Sequence, residues 1–108
     1  MIHELRIYQA TPGRLPDLLR RFETITLGLW DRHNIRQAGF WTTLVGESSQ
    51  RLTYLLQWND LAERDQRWTA FQSDPEWLAK RAETERNGPI VADISSQLLT
   101  PTAFSSVR

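Results

Sequence analysis

His3 and His33 are the only histidines in the chain, and it contains no cysteine. That leaves no thiolate nucleophile, no disulfide and no thiolate metal site. No HxxxH or carboxylate spacing surrounds either histidine, so no metal site is expected. His33 closes a helical stretch in LWDRHNIRQAGF, where a cation interacts favourably with the helix dipole. Because histidine titrates near neutrality, His33 is also a candidate base. His3 opens a strand, where a surface or subunit contact is expected. Arg6 and Asp93 are a sharper pair. They fall on the first and last strands, which the expected fold makes neighbours, and both alternate onto a polar face. Buried charges must pair. Two readings follow: an ion pair at a subunit interface, or an arginine that orients an anionic or carbonyl ligand with Asp93 tuning it. Tyr8 shares the Arg6 face.

Aromatic residues supply the other candidates. AGFWTTLVGESSQRLTYLLQW places Phe40, Trp41, Tyr54 and Trp58 in two short strand-like runs around a polar turn. Such residues dominate cores and interfaces whether or not anything binds. As a pocket wall, Trp41, Tyr54 and Trp58 would favour a flat apolar or aromatic ligand. There is no phosphate loop, nucleophile elbow, dinucleotide fingerprint or paired-carboxylate motif, and no cofactor is expected.

The elements that must position these residues are legible. HELRIYQA alternates, with Leu5 and Ile7 on one face and Glu4, Arg6 and Tyr8 on the other. From Leu15 the period changes: Leu15, Leu18, Leu19, Phe22, Ile25 and Leu29 recur at three- and four-residue steps. The pattern predicts a helix to about Arg32 or His33, with Asp17, Arg20, Arg21 and Glu23 between the apolar positions. Ile35 to Val45 reads as a second strand, where Gly39 suggests a bulge or a close backbone approach. GESSQ is a turn and Arg51 to Trp58 a third strand. Asp60 and Glu63 have capping-box spacing for a helix from Leu61 to Gln72, and Asp60–Arg64 and Glu63–Arg67 are expected ion pairs. Asp74 then Pro75 restart a helix, Asn87-Gly88-Pro89 stops it, and Ile90 to Leu99 is the fourth strand. Trp30, Trp68 and Trp77 are expected in the core. Phe104 in the tail is expected against the domain or a partner subunit.

Strand, helix, strand, strand, helix, strand is the ferredoxin-like βαββαβ order of an α+β fold. It gives a four-stranded antiparallel sheet with helices on one face. Helices on one face leave the other sheet face bare. If Leu5 and Ile7 meet the helices, the bare face carries Glu4, Arg6, Tyr8, Asp93, Ser95 and Gln97, with one set of aromatics. A second copy, sheet against sheet in a dimeric α+β barrel, would cover it. Arg6 is then expected inside the dimer, paired with Asp93 or Glu4.

The segments ELRIYQATPGRL, GFWTTLVG, LLQWNDLAERDQRW, SDPEW and LLTPTAFS, in that order, resemble the NIPSNAP family within the dimeric α+β barrel superfamily. The resemblance implies a ferredoxin-like protomer and a homodimer, and little chemistry. Similar barrels in the superfamily include cofactor-independent monooxygenases, haem-degrading or haem-using enzymes, and small-acid isomerases and dehydratases. All use the barrel interior or the space between sheet and helices as a pocket.

Thirteen basic residues balance thirteen acidic ones over 108 residues, with no basic stripe, so no nucleic-acid partner is expected. The length suits one domain, residues 1–108. No apolar run approaches a membrane span, and MIHELRIYQA lacks the pattern of a signal peptide. A cytoplasmic location is expected. These features point to a homodimer that binds a small, mostly apolar or aromatic molecule. The alternatives are a cofactor-independent monooxygenase acting on an electron-rich aromatic, and a protein interaction module.

Overall fold

The computed structural model describes residues 1–108. The alternating runs form β1 (Ile2–Ala10), β2 (Arg36–Thr42), β3 (Arg51–Trp58) and β4 (Val91–Leu99). They pair antiparallel in the order β2-β3-β1-β4, which places β1 inside the sheet. The ferredoxin-like α+β fold is as the element order indicates. No helix is long and apolar enough to cross a membrane.

The first helix runs unbroken over residues 15–32 in three parts. These are α1 (Leu15–Arg21), a π-helical turn (Phe22–Thr26) and α2 (Leu27–Arg32). Its buried positions include Leu18, Phe22, Thr26 and Trp30, four residues apart. At 3.6 residues per turn such a row drifts by about 40° at each step. The wider π turn reverses the drift, so residues before and after it face the same sheet. Asn34, at φ 57, ends the helix in the left-handed region that asparagine tolerates. Asp60 caps α3 (Leu61–Gln72) by accepting the Glu63 N–H at 2.8 Å, and Asp74 caps α4 (Pro75–Thr84) through the Glu76 N–H at 2.8 Å.

The alternation of β1 is as the sequence indicates, but its faces are inverted. Glu4, Arg6, Tyr8 and Ala10 are buried, and on β3 so are Leu52, Tyr54, Leu56 and Trp58. Hydrogen bonds from Arg64 of α3 to Glu4 place this set beneath the helices. Leu5, Ile7 and Leu55 lie on the open face, each only partly covered. The physical reason is satisfaction. Glu4, Arg6 and Tyr8 find charged and hydroxyl partners among Tyr54, Trp58 and Arg64, so polarity does not drive them outward.

Phe40 stacks on Tyr54 at 4.7 Å between ring centroids, and Phe22 and Trp30 close around Tyr54 at 5.4 and 5.5 Å. Trp30 and Trp77 are buried, and Trp68 packs against the same cluster. Trp41 goes the other way. Register shifts between Gln37 and Gly39, where Gly39 adopts φ 132. A Cβ there would stand 2.7 Å from Cη2 of Trp41, whose indole therefore lies over the glycine on the open face. Trp41 is 51% exposed. Phe104, expected against the domain or a partner subunit, does not pack on its own domain and is 88% exposed in the protomer, where the tail turns back on itself through Ser105.

Gly39→Ala should lower stability by about 1–3 kcal/mol, since an L-residue is strained at this φ. Removing the indole as well, in Gly39→Ala/Trp41→Ala, relieves the contact and leaves the backbone strain. Urea unfolding of both variants checks this, and an unchanged midpoint for Gly39→Ala would remove the bulge from the account.

Candidate functional site

Beneath the helices, the carboxylate of Glu4 is fully buried and gathers five donors. Its Oε1 accepts from Trp58 Nε1 at 3.0 Å and Arg64 Nε at 2.9 Å. Its Oε2 accepts from Arg6 Nη1 at 2.9 Å, Arg64 Nη2 at 3.2 Å and Ser96 Oγ at 2.7 Å. Burial alone would raise its pKa, but the hydrogen bonds from Arg64, Ser96 and Arg6 outweigh it and hold the carboxyl at about 2. The expected Asp60–Arg64 pair is not made, because Arg64 reaches inward to Glu4 instead. Glu63–Arg67 forms at 3.0 Å.

Arg6 continues the network. Its guanidinium lies 4.6 Å from the Trp68 ring centroid, donates from Nε to the Tyr54 hydroxyl at 2.8 Å, and from Nη2 to the Tyr8 hydroxyl at 3.3 Å. The two hydroxyls are 2.9 Å apart. An arginine can only donate, so both tyrosine oxygens accept from it. Tyr54 is completely buried and its proton goes to Tyr8. The Tyr8 proton is then left without a protein acceptor, and Tyr8 lines a cavity.

That cavity, of about 210 Å³, lies between the sheet and the helices on the β4 side. The first helix contributes Arg21, Phe22, Thr26 and Trp30 to its wall, from both sides of the π turn. Phe71 and Trp77 close it from α3 and α4. Seven of the thirteen lining residues are hydrophobic, so the wall is about half polar, less apolar than expected. Arg21 is buried there, holding Glu85 at 3.5 Å and the Thr84 hydroxyl at 3.4 Å, with its guanidinium 5.4 Å from the Trp77 ring. Burial lowers its pKa against the opposing pull of Glu85.

The fold joins Arg6, Tyr8, Tyr54 and Trp58 in one network around Glu4, although Arg6 and Tyr8 face the helices and not the expected partner sheet; Trp41, Tyr54 and Trp58, expected as a pocket wall, do not line the cavity. Arg6 pairs with Glu4 but not with Asp93. In the sheet register Asp93 opposes Gln9 whereas Arg6 opposes Ser96, one residue out of phase, so the two side chains leave opposite faces. His33 is not at the cavity. Its Nε2 is 2.7 Å from Asp74 Oδ2, joining the end of the first helix to the cap of α4, and this contact, with the Glu76 N–H, lowers the Asp74 pKa. His3 is buried with neither ring nitrogen partnered. No group of three or more His, Cys, Asp or Glu side chains is placed to hold a metal ion. Arg21 was missed as a site residue, yet it stands three residues after Leu18 and four before Ile25, on the apolar stripe. A charged residue in that row was the available signal.

The chain belongs to the NIPSNAP family, whose model matches residues 3–106. Its fold is similar to that of an uncharacterized NIPSNAP domain protein from Burkholderia xenovorans, with a TM-score of 0.84 and 26% identity over 97% of this chain and 98% of that one. A NIPSNAP family protein from Agrobacterium tumefaciens gives a TM-score of 0.87 at 21% identity, over 99% and 98% of the two chains. A more distant likeness, with a TM-score of 0.58 and 16% identity over 94% of each chain, is to a mutant of MhuD with two manganese protoporphyrin IX molecules bound per active site. No curated protein matches the chain.

Because the Glu4 carboxyl titrates at about 2 in the folded protein against an ordinary 4.5, its contribution is complete above pH 4.5 and is lost as the pH falls from 4.5 to 2. The contribution is roughly 3 kcal/mol. Glu4→Gln should lose about that much stability at pH 7, leaving Arg6 and Arg64 short of a counter-charge, and should flatten the acid limb of a stability–pH curve. If the variant's acid limb superimposes on the parent's, Glu4 is not the group responsible.

Proposed function

We propose that the protein is a cytoplasmic homodimer that binds a small molecule in the cavity between its sheet and helices. The cavity carries the reading: a space of about 210 Å³ walled by Tyr8, Phe22, Trp30, Phe71 and Trp77, with polar groups at fixed positions. An apolar cavity of about 150 Å³ admits benzene, so one ring with a small substituent suits this volume. The porphyrin of the MhuD structure does not suit it. A four-pyrrole macrocycle is far larger, and neither His3 nor His33 lines the cavity to serve as an axial ligand.

Support for the dimer comes from the open sheet face. The protomer is 19 Å thick in its shortest direction, the depth of one sheet and one helix layer. Leu5, Ile7 and Leu55 cluster on the uncovered side, with Trp41 beside them on β2. A second copy would bury this face and leave the cavity to each protomer's own helices. No catalytic step is assigned to the cavity.

Native mass spectrometry of the purified protein should show a dimer, and Leu55→Arg should convert it to monomer. A folded monomer for the parent at micromolar concentration would overturn the assembly. Single-ring aromatics should raise the melting temperature and quench tryptophan fluorescence, and Thr26→Phe, filling the cavity from the π turn, should abolish both effects. Binding that survives Thr26→Phe would place the ligand elsewhere.

A further inference from the structure

Asp93 is the one Asp, Glu or Arg on the four strands with no ionic partner in the protomer. Glu4 and Arg6 pair with each other, Arg36 holds Glu63 and Arg51 holds Glu47. Asp93 is exposed on β4, and the register places it on the open face. There Arg51, Gln9 and Asp93 form one row across β3, β1 and β4, because Gln9 opposes Arg51 on one side and Asp93 on the other. At the usual strand spacing the two charges stand about 10 Å apart within the protomer. Gln9 lies between them and accepts from Arg51 Nε at 3.3 Å. Glu47, in the loop before β3, reaches Arg51 Nη2 at 3.2 Å but is 82% exposed, and solvent screens such a contact to little. Apart from His3, no other titratable side chain stands on this face of β1, β3 and β4. Arg36, at the far corner on β2, is turned to Glu63 and Asn59.

A carboxylate that goes beneath a second sheet without a cation is costly. Symmetry supplies the cation in one arrangement. A two-fold axis running along the inner strands, β1 and β3, reverses strand order across the interface and keeps height along the strands. The row of Arg51, Gln9 and Asp93 then meets the same row of the second copy in reverse order. Arg51 of each copy comes within reach of Asp93 of the other, so the contact occurs twice. An extended arginine and an aspartate together span the ~10 Å between packed sheets. Leu5, Ile7 and Leu55 meet the same three residues of the second copy at the centre. An axis across the strands would instead lay Asp93 over Leu99 of the second copy, at the opposite end of β4, and leave its charge unpaired.

We infer that Arg51 and Asp93 form two intersubunit ion pairs that fix the axis of the homodimer along the strands. This rests on the reading of the open face as the surface that a second copy covers, and adds the register of that interface and the residues that select it.

The test is charge reversal and mixing at pH 7, followed by sedimentation and native mass spectrometry. Arg51→Glu and Asp93→Arg should each weaken the dimer by about tenfold or more, since each puts two like-charged contacts into it. Glu47→Gln should leave the dimer unchanged. Both reversals in one chain should restore dimerisation to within about threefold of the parent. Mixing the two single variants should restore it as a heterodimer, because each reversed residue then meets its opposite across the interface. An ion pair within one chain offers no such rescue. Should a reversal prevent folding, Arg51→Gln and Asp93→Asn replace it, each weakening the dimer and the two together weakening it no further. Single variants that dimerise like the parent, or a mixture that stays monomeric, overturn the ion pair. If Leu55→Arg still yields monomer, the open face stands as the interface without it. A monomeric parent, or a dimer indifferent to Leu55→Arg and to both reversals, overturns both.

Discussion

The buried carboxylate of Glu4 is the constraint around which the protomer is arranged. Its two oxygens receive groups from β1, β3, β4 and α3, so one side chain ties three of the four strands to a helix. A carboxylate at this depth is tolerable only because every lone pair is used. The arrangement also fixes Arg6, which after pairing with Glu4 has its remaining N–H groups aimed at Tyr54 and Tyr8. Where Glu4 holds Arg6 thus fixes where the guanidinium meets the two tyrosine hydroxyls. The inner layer is therefore not a purely apolar core. It is an ion-pair network set in aromatic rings, and the rings supply its low dielectric.

Strand and helix periods made the elements legible almost residue by residue. Arg51 to Trp58 and Leu61 to Gln72 coincide with β3 and α3, and Gly39 marks a real bulge. What periodicity could not decide was which face of β1 looks inward. Leu5 and Ile7 are apolar, Glu4 and Arg6 charged, and transfer energies alone put the first pair under the helices. That ranking fails where charged groups can satisfy one another, and it fails silently on a sheet whose outer face is also apolar. The relation between Arg6 and Asp93 was misread for a related reason. Strand neighbours share a face only when the register is known, and register is set by the pairing of β1 with β4, across most of the chain length.

The candidate site was partly legible. Arg6, Tyr8, Tyr54 and Trp58 do join one network around Glu4, because alternation on β1 and β3 puts each on the same face as its cross-strand partner, but only Arg6 and Tyr8 line the cavity. The helix side of the cavity was hidden. Arg21 reads as one of several charges on an amphipathic helix until the neighbouring turn is seen to be π-helical, and no residue type identifies a π turn in advance. Trp30 and Trp77 were legible as core residues but not as walls of a cavity, which is a property of three-dimensional surroundings alone.

The π turn also sets how this wall can change over evolutionary time. Substitutions alter what a position carries, but a change in the number of residues between Phe22 and Thr26 alters the width and path of the turn itself. Losing one residue there would let the helix close to uniform α geometry and leave everything beyond it near its present orientation, because a π turn accommodates one extra residue, so Trp30 would still face the sheet while the wall at Phe22–Thr26 narrowed. The four strands and the Glu4 network lie outside that segment. Length variation in one helical turn is thus a route by which related chains can keep the same sheet and present cavities of different width.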